Sequence, residues 1–224
     1  MNNGKDKLLI FDCDGVLIDS EPMANRLFME CLRNEGFDVD EVYGEHFHGI
    51  ALSDCIRKVE GDFNRRIPEG FVDKFEELLN VEMEQKLEAM PGIHEALSQL
   101  PNRKCVASGS THPRLQLALS VTRLLPQFER IFSATDVKRG KPAPDLFLYA
   151  AAQMQYNAKD CIVIEDSYPG MQAAIAANMP VLLYNPHWTD KYEVPAHVTV
   201  FYNMQDLPQL VKELSQKEME TFLS

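Results

Sequence analysis

The sequence predicts an α/β protein: an open, parallel, Rossmann-like sheet core with one inserted α-helical domain. Three observations carry that expectation. Short, nearly continuous apolar runs bounded by turn residues recur along the chain, as strands buried on both faces do. Amphipathic stretches of helical period separate them. One long region, from Ser20 to about Glu88, has helical periodicity and no convincing strand run.

The first run is Leu8 to Phe11, and the polar stretch FDCDGVLIDSE begins at its last residue. Pro22 suits the first turn of a helix, Met23, Leu27 and Cys31 follow the helical step, and Gly36 suits its C-terminal cap. Phe71, Phe75, Leu78 and Leu79 repeat that step. Residues 20–88 are therefore expected to form a helical insertion. It is hinged at Val16 to Ser20 and Glu88 to Gly92, between core segments 1–19 and 89–224. The core then continues with a run at Cys105 to Ala107 and a helix at Leu115 to Leu125, with Pro113 shaping its first turn. A run at Ile131 to Ser133, a helix at Leu146 to Met154, and runs at Cys161 to Ile164 and Val181 to Tyr184 follow. Asn178 stands where a left-handed helix cap is common. Asp206 to Leu223 reads as an amphipathic closing helix.

The 224 residues, 45% hydrophobic and 25% charged, suffice for a substantial core. A formal net charge of −12 argues against nucleic acid and anionic membrane as partners, and an anionic substrate would need local positive charge or a metal. Cysteines at 13, 31, 55, 105 and 161 are odd in number and scattered, with no CxxC pair, which points to free thiols in a reducing compartment. The start of the chain reads as neither signal peptide nor membrane span, so a cytoplasmic location is expected, and nothing in the sequence demands more than a monomer.

In a parallel sheet the carboxyl ends of the strands share one edge, and ligands bind there. Four polar signals fall at those ends. Asp12 and Asp14 follow the first run, and Ser108-Gly109-Ser110 follows KCVA. Lys141-Pro142 lies past IFSA, and Glu165-Asp166-Ser167 follows CIVI. Three or four converging carboxylates repel one another, so one must protonate or a cation must join them. An all-oxygen donor set with room for water suits Mg²⁺ better than zinc. A serine hydroxyl and backbone N–H groups at a helix start can hold phosphate oxygens, and a lysine adds fixed positive charge. Together these suit phosphoryl transfer. Residues i and i+2 of an extended segment project to one side. One aspartate can therefore attack phosphorus while the other protonates the leaving oxygen and then deprotonates water. Cys13 projects the opposite way and reads as a small buried hydrophobe.

The motifs FDCDGVLIDSE, GKPAPDLF and IEDSYPG, with Ser108 between the first two, resemble the haloacid dehalogenase-like (HAD) hydrolase superfamily. More narrowly, they resemble its branch of β-phosphoglucomutases and small sugar-phosphate phosphatases, which carries a helical cap after the first strand. The similarity spans nearly the whole chain. It implies Asp12 as nucleophile, passing through an aspartyl-phosphate, and Asp14 as acid/base. It implies Mg²⁺ on the Asp12 carboxylate, the Asp14 backbone carbonyl and the Asp166 carboxylate, with Glu165 touching the metal or standing behind it. Ser108, Gly109 and Lys141 would hold the phosphoryl group.

Mutases of this branch carry a histidine shortly after the first hinge, where this chain has Ala24 in EPMANRLF, and a cap arginine where it has Leu52 in HGIAL. Both departures favour phosphomonoester hydrolysis over phosphomutase chemistry, and a similar pattern occurs in the 6-phosphogluconate phosphatase-like group. A dehalogenase would dispense with Mg²⁺ and with Asp14. A catalytically silent sugar-phosphate-binding module would not need the intact acidic set. Substrate choice is expected from the cap, whose closure excludes water, with His46, His48, Arg57 and Lys58 as candidates to meet the substrate body. Arg65 and Arg66 read as loop-surface charges, and Trp188 as packing beside the last strands.

Overall fold

The structure, a computed structural model, describes residues 7–47, 52–185 and 193–223, so His48 and Trp188 lie outside the described residues. Six strands form one sheet: β1 (Leu8–Phe11), β2 (Lys104–Ser108), β3 (Arg130–Ser133), β4 (Cys161–Glu165), β5 (Val181–Tyr184) and β6 (Thr199–Phe201). All neighbours are parallel, in the order β3-β2-β1-β4-β5-β6. The helices in chain order are α1 (Glu21–Asn34), α2 (Glu41–Gly44), α3 (Leu52–Phe63), α4 (Phe71–Lys86), α5 (Ile93–Ser98), α6 (His112–Val121), α7 (Asp145–Met154), α8 (Tyr168–Ala176) and α9 (Leu207–Leu223). None of the described helices is long and apolar enough to cross a membrane.

The architecture is Rossmann-like. β1 and β4 are buried along their whole length, as the apolar runs LLIF and CIVI require, and the charged Glu165 ends β4. Ile10, Phe132, Leu146, Phe147, Ala150 and Met171 belong to one buried cluster that joins the sheet to α7 and α8. From β1 the chain proceeds to β2 and β3 on one side, then crosses to β4, β5 and β6 on the other. The direction of winding reverses at β1/β4, which places a crevice at the carboxyl ends of those strands.

The chain divides into two compact units, Met1–Ile18 with Glu88–Ser224 and Asp19–Leu87. In the helical unit, Phe28 of α1 meets Phe47, Phe71 and Phe75 edge-on at 5.6, 5.8 and 5.7 Å between ring centroids. The buried stripe of α4 is Phe71, Phe75, Leu79 and Met83, spaced by four residues. Leu78, expected on that face, lies off the stripe and is 41% exposed.

Helix ends explain two further differences from the sequence reading. α6 begins at His112, ahead of the expected Leu115, because Pro113 sits in its first turn. It stops at Val121, short of Leu125, because Arg123 turns left-handed (φ +59°) and the Leu124 N–H donates to the Leu119 carbonyl. An arginine in that conformation leaves no sequence signature, unlike the glycine or asparagine that usually takes it. Gly36 (φ +77°) and Asn178 (φ +55°) close α1 and α8 with the same bonding pattern. Arg65, read as a loop charge, donates to the Glu35 and Gly36 carbonyls at 2.8 and 3.2 Å and lies over Phe37, so it reinforces the end of α1. β6 is an addition to the strands expected from the sequence: a three-residue edge strand with only Phe201 buried.

Candidate active site

The parallel register brings the polar signals together. Phe11 pairs with Ile164, and the Asp12 N–H donates to the Ile164 carbonyl at 2.9 Å, so Asp12 and Glu165 emerge side by side from β1 and β4. Ser108 ends β2 on the other flank of β1. After β3 a reciprocal capping turn at Ser133–Asp136 redirects the chain, and the segment that follows carries Lys141.

Lys141 organises the centre. Its Nζ donates to Asp12 Oδ1 at 2.5 Å and to Glu165 Oε1 at 2.6 Å, and lies 5.0 Å from the centroid of the Phe147 ring. The two carboxylates hold the lysine charged, its affinity for the proton raised despite burial. Among the described residues, no donor reaches the second oxygen of Asp12.

Glu165 is fully buried, and both of its oxygens are engaged. Oε2 accepts from the N–H groups of Asp166 and Ser167 at 2.8 Å each and from the Ser167 hydroxyl at 2.9 Å. Ser167 in turn caps α8 by accepting from Gly170 N–H at 3.1 Å. A Cβ on Gly170 would fall on the Glu165 carboxylate, so this glycine leaves room for the buried charge. Gly15 does the same for Asp166 and also adopts φ +78°, in the tight turn that returns the chain after β1.

Ligand oxygens of Asp12, Glu165 and Asp166 lie within 4.8 Å of one another. Burial lifts the Asp12 carboxyl to about 7 against the pull of Lys141, and the charges of Glu165 and Asp14 push it the same way. Burial, then Glu165 and Asp12, push Asp166 well above the usual carboxylate range. Three carboxylates face one ammonium, a deficit of positive charge. The oxygen-only donors and the clearance at Gly15 fit a hard divalent cation.

The Asp14 carboxylate is engaged elsewhere. It accepts from the Ser110 hydroxyl at 2.8 Å and lies 3.7 Å from Arg114 Nη2. Ser108, 1% exposed, accepts from Ser110 N–H at 3.1 Å, which leaves its own hydroxyl proton available. The position of a Gly109 Cβ is open space. Cys13 is wholly buried, and burial raises its thiol well above the ordinary range, so it remains protonated.

Of the specificity candidates, the three described residues, His46, Arg57 and Lys58, are partnered within the helical unit. Lys58 donates to Asp62 at 2.9 Å, and Asp62 also accepts from the Tyr43 hydroxyl. Arg57 pairs with Asp54, and His46 Nδ1 lies 3.2 Å from the Tyr43 carbonyl. Sequence reasoning did not single out Arg114 or Gly170. The only hint was their position, in the first turns of the helices that follow two of the polar signals.

A family model described as haloacid dehalogenase-like hydrolase matches residues 9–184. Over 213 residues the chain is 31% identical to the 6-phosphogluconate phosphatase of Escherichia coli K12, covering 91% of this chain and 94% of that protein. It is 30% identical over 177 residues to the fructose-1-phosphate phosphatase of the same organism, covering 76% and 92%. Among solved structures, a conserved haloacid dehalogenase-like protein of unknown function from Agrobacterium tumefaciens matches with a TM-score of 0.80 at 32% identity, covering 94% of this chain and 99% of that one.

Proposed function

The chain belongs to the haloacid dehalogenase-like hydrolases and is a phosphomonoester hydrolase, and from that premise we propose that it is an Mg²⁺-dependent phosphatase working through an aspartyl-phosphate on Asp12. Its substrates in this reading are small sugar or sugar-acid phosphates, the class named in the two phosphatase relatives. The observation that carries the proposal is the buried Lys141 bridge between Asp12 and Glu165 inside a three-carboxylate cluster.

Lys141 fixes one oxygen of Asp12 and leaves the other to attack phosphorus. Lys141, the Ser108 hydroxyl and the Gly109 N–H hold the phosphoryl oxygens. Asp14 gives a proton to the departing alkoxide. It then takes one from the water that attacks the aspartyl-phosphate, releasing phosphate and restoring both carboxyls. Mg²⁺ would be held by the Asp12 and Asp166 carboxylates and the Asp14 backbone carbonyl, and would supply charge neutralisation at the phosphoryl oxygens. Glu165, with both oxygens engaged, holds Lys141 and would support the metal site without ligating the ion. Residues 19–87 serve as the cap and carry substrate choice.

The test is phosphate release from a panel of phosphomonoesters, including 6-phosphogluconate, fructose 1-phosphate and p-nitrophenyl phosphate, with Mg²⁺ and with EDTA. Turnover is expected only with the metal and is lost in Asp12→Asn. Activity that survives either change overturns the mechanism. Conversion of β-glucose 1-phosphate to glucose 6-phosphate at a rate comparable to hydrolysis would establish the phosphomutase instead.

A further inference from the structure

Resting on the acid/base reading of Asp14, we propose that Ser110 and Arg114 are positioning residues that aim the Asp14 carboxylate at the leaving-group oxygen. A general acid on a turn of the chain needs more than its own backbone to fix its rotamer, and misplacement by about 1 Å can cost on the order of 10²-fold in rate. Both carboxylate oxygens have an external partner here. The Ser110 hydroxyl donates to Oδ2 at 2.8 Å, and the Arg114 guanidinium stands 3.7 Å from Oδ1. Both residues come from the α6 side of the crevice, whereas Asp14 belongs to the turn after β1.

Ser110 is itself anchored. Its carbonyl accepts from the Ser133 hydroxyl at 2.7 Å, and its N–H donates to Ser108 Oγ. Ser133 is fully buried and is fixed in turn by Asp136, which accepts its N–H at 2.9 Å. Asp136 also holds His112 Nε2 at 2.9 Å, in the first turn of α6. A continuous chain of bonds thus ties the Asp14 side chain to the ends of β2 and β3 and to the start of α6. Arg114 follows His112 by two residues in that helix. Its Nε is buried without a hydrogen-bond partner, a cost that attraction to the Asp14 carboxylate offsets.

Leaving groups separate this role from a merely structural one. An alkyl phosphate expels a basic alkoxide that needs a proton, whereas p-nitrophenyl phosphate expels a stable phenolate that hardly does. The attack of water on the aspartyl-phosphate also uses Asp14 and is common to both esters, so the experiment compares kcat/KM, which reports the steps up to leaving-group release. It does so on 6-phosphogluconate and on p-nitrophenyl phosphate for the full chain with Mg²⁺, in Ser110→Ala, Arg114→Gln, the conservative Ser110→Thr and Arg114→Lys, and the reference Asp14→Asn. Ser110→Ala and Arg114→Gln are expected to lose roughly tenfold or more in kcat/KM on the sugar-acid phosphate and far less on the aryl ester, with partial recovery in Ser110→Thr and Arg114→Lys. Equal losses on both esters, or none on either, overturn the proposal even when Asp14→Asn shows the selective loss. If Asp14→Asn itself shows no selective loss, the acid/base reading beneath the proposal fails instead. Release of p-nitrophenolate from the aryl ester, the step before water attack, certifies that each variant is folded.

Discussion

Replacing Gly170 with alanine sets two physical effects against each other. In a helix interior alanine is favoured over glycine by about 1 kcal/mol, and Gly170 lies within α8. Propensity alone therefore makes Gly170→Ala stabilising. The structure reverses the sign, because the new methyl would occupy the place of the Glu165 carboxylate, a fully buried group held by Lys141, two backbone N–H groups and a hydroxyl. Overpacking costs about 1–3 kcal/mol, and each buried donor orphaned as the carboxylate moves costs about 1–3 kcal/mol more. With one donor orphaned and the helical gain subtracted, the net is a destabilisation of about 3 kcal/mol. Displacing Glu165 also removes one of the two carboxylates that hold Lys141, so turnover should fall with stability. Gly61→Ala, in α3, is the control: a Cβ there meets nothing within 4 Å, and a gain of up to about 1 kcal/mol is expected. Urea unfolding followed by circular dichroism, alongside kcat/KM on p-nitrophenyl phosphate, measures both. A Gly170→Ala protein as stable and active as the parent would refute the assignment of that space to Glu165.

Other consequences are equally direct. Gly15→Ala should weaken Mg²⁺ binding by more than tenfold, since the Cβ would meet the Asp166 carboxylate at a residue with φ +78°, whereas Gly109→Ala should bind the metal normally because its Cβ position is open; titration calorimetry compares them. The raised Asp12 carboxyl fixes a sign for pH. Its folded value, about 7, lies above the ordinary 3.8, so the folded metal-free protein binds this proton more tightly than the unfolded chain. That contribution to stability is full below about pH 4 and is lost as pH rises through about 7. Thermal melts with Mg²⁺, compared with melts in EDTA, should therefore show a stabilisation by the metal that grows over that range, and a metal effect that shrinks with rising pH contradicts the electrostatic account. All five cysteines are buried, so a thiol reagent should label the native protein slowly and release five equivalents in guanidinium; rapid labelling of Cys13 would contradict its packing role.

The sequence by itself determined the alternation of strand and helix, the sheet edge at which polar residues gather, and the helical character of the insertion. Each of these depends on near neighbours: apolar periodicity, Pro22 and Pro113 in first turns, and Gly36 and Asn178 in left-handed caps. Local patterning also explains the misses, since a left-handed Arg123 and a three-residue edge strand leave no pattern to read. Only the tertiary structure decided how the acidic residues are shared out. The sequence led us to expect three or four carboxylates at one place. The fold gathers Asp12, Glu165 and Asp166 and turns the Asp14 side chain toward Ser110 and Arg114. Likewise only the fold fills both oxygens of Glu165 and makes Gly15 and Gly170 the spaces into which carboxylates fit. The reason is distance along the chain. Lys141 and Asp12 are 129 residues apart, and Ser110 and Asp14 are 96 apart. The partners of a buried charge are chosen by strand register and helix phase across such separations, which no local pattern encodes.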